Sequence, residues 1–140
     1  MTQTEWAHLP NAKHIDWVIA SVKEHPEKWD AVWVAAYYAA RGATFDAARD
    51  AAFDAARTAA CDAGRNAAWG AAWGAAWDAA WDAARGAAFD AIAALIAYDD
   101  RAYMIESDVD EIKILAILGD QKARLLLPAC IVYNETKELV

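Results

Sequence analysis

The chain has 140 residues, enough to bury a hydrophobic core, and we expect a single domain spanning residues 1–140. Apolar residues make up 59% and charged residues 24%, a composition typical of globular rather than disordered proteins. The net charge of −8 argues against direct binding of nucleic acid and against attraction to an anionic membrane.

The N-terminal region predicts a helix over residues 11–25. No basic segment followed by an apolar run precedes it and no long apolar window occurs elsewhere, so we expect a cytoplasmic protein with no membrane segment. Asn11 is suited to capping the helix, and Ile15 and Val18 lie on one face. Pro26 disfavours helix at the residue before it and suits the first turn of the next helix.

An alanine-rich repeat of four residues dominates residues 26–98. Sixteen consecutive tetrads cover residues 29–92, and their first positions, here called leaders, hold ten aromatic residues, five arginines and one cysteine. The second position is aspartate in eight tetrads and glycine in four, and the third and fourth positions are alanine in 28 of 32 cases. Alanine has the highest helix propensity, so this region is predicted to be helical.

The four-residue period predicts several helices rather than one. A helix turns ~100° per residue, so each leader lies ~40° beyond the previous one, and the stripe of leaders would rotate through roughly 600° over the whole repeat. A period of four also exceeds the repeat of about 3.67 residues found in right-handed coiled coils. We therefore expect shorter helices that fold back on one another. The candidate breaks are Gly42, Gly64, Gly70, Gly74 and Gly86.

A change of composition after the repeat predicts a C-terminal pair of helices within residues 107–134. Ser107 followed by Asp110 resembles a capping box that opens the first helix of the pair. Gly119 is suited to end that helix, because glycine accepts the left-handed conformation common at helix C-termini.

Asp120 is suited to cap the last helix, which Pro128 is expected to bend or interrupt. No segment of the chain shows the alternating pattern of a half-buried strand. The predicted fold class is therefore all-α, a compact helical domain of about five to seven helices in which the alanine-rich repeat folds back on itself.

Four tryptophans recur at the spacing of neighbours on a helix surface, and we call them the tryptophan ridge. The ridge consists of Trp69, Trp73, Trp77 and Trp81. We predict that it mainly builds the core, because four exposed tryptophans in a row would form an aggregation-prone patch. The alternatives are a surface for a partner or for self-association into a homo-oligomer, and a site for a small nucleotide-like ligand. Gly70 and Gly74 are predicted to mark a close approach of another group, because glycine inside a helix costs stability.

Asp46, Asp50 and Asp54 are predicted to form an acidic surface along one helix. Regularly spaced carboxylates could imitate nucleic acid in the binding groove of another protein. Arginines weaken this interpretation, because Arg49 and Arg57 each follow an aspartate by three residues, the spacing of a helical ion pair. A solvated, internally paired helix face is favoured, and nucleic-acid mimicry stays an alternative.

No motif of a catalytic or metal site is present. The chain lacks a nucleophile elbow, a phosphate-binding glycine loop and the paired histidines of a zinc protease, and its three histidines are scattered near the N-terminus. The acidic residues between 99 and 111 lack the order of a calcium-binding loop. We therefore predict a non-enzymatic protein with no catalytic residues, no metal and no cofactor.

Two repeat segments and one later segment resemble a group of short alanine-rich WDAA/RDAA tetrad-repeat proteins of bacteriophages and bacteria. The matching segments are FDAARDAAFDAAR at residues 45–57, WDAAWDAARGAAFDAIAALIAYDD at 77–100 and LLLPA at 125–129. The resemblance implies a small phage-encoded accessory protein that acts in the host cytoplasm, and it assigns no functional residues. Such proteins often bind host machinery or sequester a signal molecule.

The expected function is binding to and inhibition of a host defence protein. One alternative is a sponge that holds a nucleotide-like signal between tryptophans at a subunit interface. Further alternatives are an acidic nucleic-acid mimic and a plain structural component. The resemblance and the residue pattern agree on a protein that acts by binding.

Overall fold

The computed structural model describes residues 5–39, 43–79 and 82–137. Within these ranges the chain forms seven α-helices, a short 3-10 helix and no strand, so the predicted all-α fold is confirmed. The α-helices are α1 (Ala12–Glu24), α2 (Pro26–Ala39), α3 (Ala43–Asp62), α4 (Asn66–Ala79), α5 (Asp82–Ala97), α6 (Val109–Ile117) and α7 (Gln121–Thr136), and the 3-10 helix is Ala102–Glu106.

Helices α5 and α7 form the centre of the fold. Helix α5 packs against α1, α2, α3, α4 and α7, and all its side chains in residues 91–96 are buried. Helix α7 packs against α2, α3, α5, α6 and the 3-10 helix, and its residues 125–130 are all buried. Both helices are rich in aliphatic residues, so their burial provides the main hydrophobic stabilisation.

The fourth position of the tetrad is the buried stripe of the repeat. Small side chains let helix axes approach closely, which places these positions at the contacts between helices. Ala48 at the start of α3 and Gly64 in a turn are the described exceptions. The side chains at fourth positions that are at most 3% exposed are Val32, Ala36, Ala52, Ala56, Ala60, Ala68, Ala72, Ala76, Ala84, Ala88 and Ile92.

Gly64 separates α3 from α4, as predicted. Its φ of +72° lies in the left-handed region that glycine accepts without a steric penalty, and α4 begins two residues later at Asn66. Gly119 has a φ of +103° and follows the end of α6, so the predicted end of that helix is confirmed as well.

The other predicted breaks are wrong or lie outside the described residues. Gly70 and Gly74 lie inside α4 and Gly86 lies inside α5, because all three adopt helical backbone conformations. Gly42 falls outside the described ranges. The boundary between α4 and α5 has no signal in the sequence, because residues 80 and 81 are neither glycine nor proline.

Asn11 precedes α1, whose bounds lie one residue inside the predicted range at each end, but its side chain does not cap that helix. The amide Nδ2 donates instead to the carbonyl oxygens of Leu95 at 2.9 Å and Tyr98 at 3.0 Å. It therefore joins the start of α1 to the end of α5, where helix carbonyls have no partner within the helix.

The cap of α6 is Asp108 rather than Ser107. The Asp108 carboxylate accepts a hydrogen bond from the backbone N–H of Glu111, whereas the Ser107 hydroxyl donates to the Tyr103 carbonyl. Asp120 caps α7 as predicted, accepting from the backbone N–H of residue 123 at 2.9 Å. Helix α7 continues through Pro128, so of the two predicted effects, a bend or an interruption, the interruption does not occur. No helix in the described ranges is long and apolar enough to cross a bilayer.

Candidate functional site

A cleft of about 420 Å³ lies between α3 and α5. Its volume falls within the range of known ligand pockets. Asp50 and Asp54 are exposed at its rim, and Asp90 is buried at its base. The lining residues are Arg49, Asp50, Phe53, Asp54, Gly86, Phe89 and Asp90.

The tetrad repeat itself builds both walls of this cleft. On α3, the leaders Arg49 and Phe53 and the second-position residues Asp50 and Asp54 are each four residues apart, so they form two parallel rows on the helix surface. On α5 the cleft is lined by the leader Phe89 together with second-position residues. Fourth-position alanines hold the two helices together beneath these rows.

Gly86 is the helical glycine that another group approaches. A Cβ at this position would lie 3.7 Å from Nε1 of Trp33 on α2, an ordinary contact distance. At Gly70 and Gly74 no described atom lies within 4 Å of the position a Cβ would take. The prediction that those two glycines mark a close approach is therefore wrong, because their open side faces solvent.

Arg49 and Asp90 form an ion pair across the cleft. Nη1 of Arg49 donates to Oδ2 of Asp90 at 3.1 Å, and only 4% of the Asp90 side chain is exposed. Burial raises the pKa of Asp90 to about 7, although the Arg49 guanidinium opposes this shift. Asp90 therefore changes its charge near neutral pH, which is unusual for an aspartate.

The Arg49 guanidinium stays charged in this environment. Burial lowers the pKa of Arg49, but the carboxylates of Asp90, Asp50 and Asp46 together outweigh that effect and raise it. Asp50 lies 3.4 Å and Asp46 3.7 Å from Nη2, and the latter contact is the predicted ion pair between residues three apart. The guanidinium carbon also lies 5.7 Å from the centroid of the Trp33 ring.

The two phenylalanines of the cleft are held from behind by α4. Phe53 meets Trp69 and Trp73 edge-on, with ring centroids 5.5 and 5.8 Å apart. Phe89 is stacked on Trp73 at 4.1 Å. Such edge-on and stacked contacts add stability beyond burial alone, so α4 supports the aromatic walls of the cleft.

The described tryptophans of the ridge lie behind the cleft, at the edge of the core. Trp69 and Trp73 are half-buried, and Trp77 is 55% exposed with the Arg85 guanidinium carbon 3.9 Å from its ring centroid. The prediction that the ridge builds the core is therefore wrong for Trp77 and only partly met by the other two. Trp81 lies outside the described residues.

Two rings of the ridge leave no room for a flat ligand between themselves and α5. The gap bounded by Trp69, Trp73, Phe89 and Ile92 is too small to admit a water molecule. These two tryptophans contact Phe53 and Phe89, so they support the aromatic wall of the cleft from behind.

Part of this site was predicted from the sequence. Asp50 and Asp54 of the predicted acidic surface line the cleft, whereas Asp46 lies beside Arg49. Phe53, Phe89, Asp90 and the role of Arg49 were missed. One signal in the sequence could have indicated Asp90. The apolar run of residues 91–97 directly follows it, and an aspartate next to such a run is expected to be drawn into the core with it.

Arg65 shows why helical ion pairs are hard to predict from spacing. Asp62 precedes it by three residues, the spacing of a helical ion pair, but Nη2 donates to Oδ2 of Asp99 at 2.9 Å and Nη1 donates to the Ile96 carbonyl at 2.7 Å. The guanidinium thereby satisfies the C-terminal end of α5, where backbone carbonyls attract a positive charge.

Metal-binding geometry is not found in the described part of the chain. No group of three or more His, Cys, Asp or Glu side chains there could hold an ion. Cys61 and Cys130 are both free. Comparison of the chain with protein-family models, curated proteins and solved structures finds no match.

Proposed function

We propose that this chain is a non-enzymatic binding protein whose α3–α5 cleft accepts a cationic side chain of a partner protein. The observation that carries the proposal is the lining of the cleft, where the exposed carboxylates of Asp50 and Asp54 lie beside the rings of Phe53 and Phe89. Carboxylates bind an ammonium or guanidinium group, and aromatic rings bind its charge and its stem.

The electrostatics of the cleft favour a cation. Three carboxylates against one guanidinium leave the lining residues with a net charge of −2 when all are ionised. Asp90 and Arg49 bind each other, so Asp50 and Asp54 at the rim remain to attract a ligand. Asp54 is better placed than Asp50 to bind a cation from a partner, because the Asp50 carboxylate already lies 3.4 Å from the Arg49 guanidinium.

The chain already shows the proposed chemistry in its own contacts. Arg85 places its guanidinium 3.9 Å from the ring centroid of Trp77, and Lys122 places its ammonium 4.8 Å from that of Tyr98. An arginine or lysine from a partner could lie against Phe53 or Phe89 in the same manner. Arginine is also enriched among the residues that dominate protein–protein binding energies.

A protein partner fits this cleft better than a free small molecule. The carboxylates lie exposed at the rim, so a side chain can enter while the rest of the partner stays outside. The overall charge of −8 would also steer a basic protein surface toward the chain. From the resemblance to phage tetrad-repeat proteins we further propose that the partner is a host defence protein and that binding inhibits it.

Affinity capture with charge-reversed variants tests the proposal. The cleft variant carries Asp50→Lys and Asp54→Lys. The matched control carries Asp62→Lys and Asp78→Lys, which change the net charge equally at exposed second positions outside the cleft lining. Each protein is immobilised, exposed to bacterial host lysate, and washed before mass spectrometry of the bound proteins.

The expected result is a protein captured by the wild type and by the control but lost from the cleft variant. Circular dichroism of both variants must show unchanged helix content. Equal capture by all three proteins, or equal loss from both variants, contradicts a role for the cleft. A bound nucleotide in place of a protein would favour the sponge instead.

A further inference from the structure

The carboxyl group of Asp90 can accept a proton inside the cavity in which a cation is proposed to bind. Asp90 lies at the base of the cleft with its side chain only 4% exposed, and the exposed carboxylates of Asp50 and Asp54 line the same cavity. A buried carboxyl group resists ionisation, because its charged form loses hydration, and a nearby cation opposes that effect. A cation in the cleft therefore favours the ionised form of Asp90.

Arg49 connects Asp90 at the base of the cleft with the aspartates above it. Nη1 of Arg49 donates to Oδ2 of Asp90 at 3.1 Å, while Nη2 lies 3.4 Å from Oδ1 of Asp50 and 3.7 Å from Oδ1 of Asp46. A guanidinium binds a carboxylate more strongly than a neutral carboxyl group. When Asp90 takes up a proton, the described carboxylates that still attract the guanidinium are those of Asp50 and Asp46, so Arg49 is drawn toward the rim.

Both consequences of protonation weaken the attraction of the cleft for a cation. The net charge of its lining changes from −2 to −1 when Asp90 is neutral and the other residues are ionised. In addition, Arg49 then competes with the ligand for the Asp50 carboxylate. When Asp90 is ionised, it holds Arg49 at the base of the cleft and leaves the rim to the ligand.

The other helices that pack against α5 bring few charged groups to Asp90. Asp90 also borders a smaller cavity of about 10 Å³, to which α2 contributes Tyr37 and α7 contributes Arg124. Nε of Arg124 donates to a backbone carbonyl of α6 at 2.8 Å, and on α5 itself the Arg85 guanidinium lies against the Trp77 ring. Among the described residues, α1 and α4 contribute none to either cavity. The charge around Asp90 is therefore set mainly by α3.

We propose that the cleft binds a proton at Asp90 in competition with a cationic side chain at its rim. The inference rests on the proposed function of the cleft as a cation site and adds the regulation of that site. Binding is stronger when Asp90 is ionised and weaker when it is protonated, so a cationic partner is released as the pH falls. Because burial raises the pKa of Asp90 to about 7, this change takes place near neutral pH.

NMR titration of the full chain with N-acetyl-arginine amide tests the competition at about pH 5.5 and about pH 8.5, on either side of the Asp90 transition. The quantity compared is the dissociation constant at the lower pH divided by that at the higher pH. This ratio should be at least about fivefold larger for the wild type than for Asp90→Asn, because the amide cannot take up the proton. The comparison removes the contribution of every other titrating group.

The matched control for this titration is Asp62→Asn, because Asp62 is exposed on α3 outside the cleft lining. It should keep the ratio of the wild type. Equal ratios for the wild type and Asp90→Asn, in chains whose cleft signals respond to the probe, overturn the competition but leave the proposed cation site standing. No response of the cleft signals at either pH overturns both.

A second measurement needs no variant, so it does not depend on the folding of Asp90→Asn. The NMR signal of the Asp90 carboxyl carbon reports its protonation directly. Saturation with the arginine probe should lower the pH midpoint of this signal by at least about 0.7, since coupling between two ligands acts equally in both directions. The uncharged N-acetyl-norleucine amide should leave the midpoint in place. A midpoint that is the same with and without bound arginine probe overturns the inference.

Discussion

Arg49 on α3 and Asp90 on α5 lie 41 residues apart in the chain and share a hydrogen bond of 3.1 Å at the base of the cleft. The Asp90 carboxylate is almost completely buried, whereas Arg49 reaches from that buried position toward the exposed Asp50 and the half-buried Asp46. The pair therefore links the packing of two helices to the charge of the site they form.

Removing Arg49 alone should destabilise the fold. In Arg49→Met the Asp90 carboxyl stays buried without its cation, and we expect a loss of roughly 3 kcal/mol in the free energy of unfolding at pH 8. The double variant Arg49→Met with Asp90→Leu should recover most of this loss, because no unpaired charge remains. Urea unfolding measures both, and a single variant as stable as the wild type would show that the pair is not buried in solution.

The pH dependence of stability should carry a contribution from Asp90. Its pKa is about 7 in the folded state and near the ordinary aspartate value in the unfolded state, so the folded chain holds an extra proton between about pH 4 and 7. The contribution of Asp90 to stability is thus full below pH 4 and is lost as the pH rises to 7, by up to about 4 kcal/mol.

Asp90→Asn isolates this effect, because every other carboxyl titrates in both proteins. The unfolding free energy of the wild type minus that of Asp90→Asn should fall between pH 4 and 7 and stay constant above that range. Urea unfolding at several pH values provides the measurement. A difference that is flat across the range, or that rises, would mean that the folded-state pKa of Asp90 is not raised.

The buried stripe of fourth-position alanines predicts that two adjacent substitutions on α3 have very different effects on stability. Ala52 is fully buried, so Ala52→Leu should overpack the contact with neighbouring helices and cost about 1–3 kcal/mol. Ala51 is exposed one residue earlier, so Ala51→Leu should change stability by less than about 0.5 kcal/mol. Thermal unfolding compares the two, and equal effects would show that the repeat packs through a different position.

The glycines of the repeat should also separate into two classes. Gly70 and Gly74 are helical with open space around them, so Gly70→Ala and Gly74→Ala should each stabilise the chain by up to about 1 kcal/mol. Gly64→Ala should destabilise it by about 1–2 kcal/mol, because its φ of +72° is unfavourable for alanine. Thermal unfolding again decides, and destabilisation by Gly74→Ala would reveal a contact on that face.

Local signals in the sequence were sufficient for much of the helical framework. The bounds of α1, the start of α2 at Pro26, the turn at Gly64 and the cap at Asp120 follow from residues whose backbone preferences act within one turn of helix. These features depend on local steric and hydrogen-bonding effects between residues that are close in sequence. They needed no knowledge of the tertiary structure.

The orientation of the repeat could not be derived in the same way. Because each tetrad rotates ~40° beyond the last, the period of four leaves open which position faces inward. Bulk favours the tryptophans, but the fully buried positions of α4 and α5 include alanines such as Ala72 and Ala88, whereas Trp69 and Trp73 are only half-buried. The pairing of Arg49 with Asp90, and hence the base of the cleft, depends in the same way on which tetrad position faces the neighbouring helices.

A titration of the isotope-labelled chain followed by NMR tests the proposed cation site most directly. The probe is N-acetyl-arginine amide, added to well above about 1 mM because a single side chain binds weakly, and N-acetyl-norleucine amide is the uncharged control. We expect saturable shifts of the amide signals at residues 49–54 and 86–90 with the arginine probe alone, abolished by Asp50→Lys with Asp54→Lys. Equal responses to both probes, or shifts confined to other parts of the chain, would contradict the cleft as a site for cations.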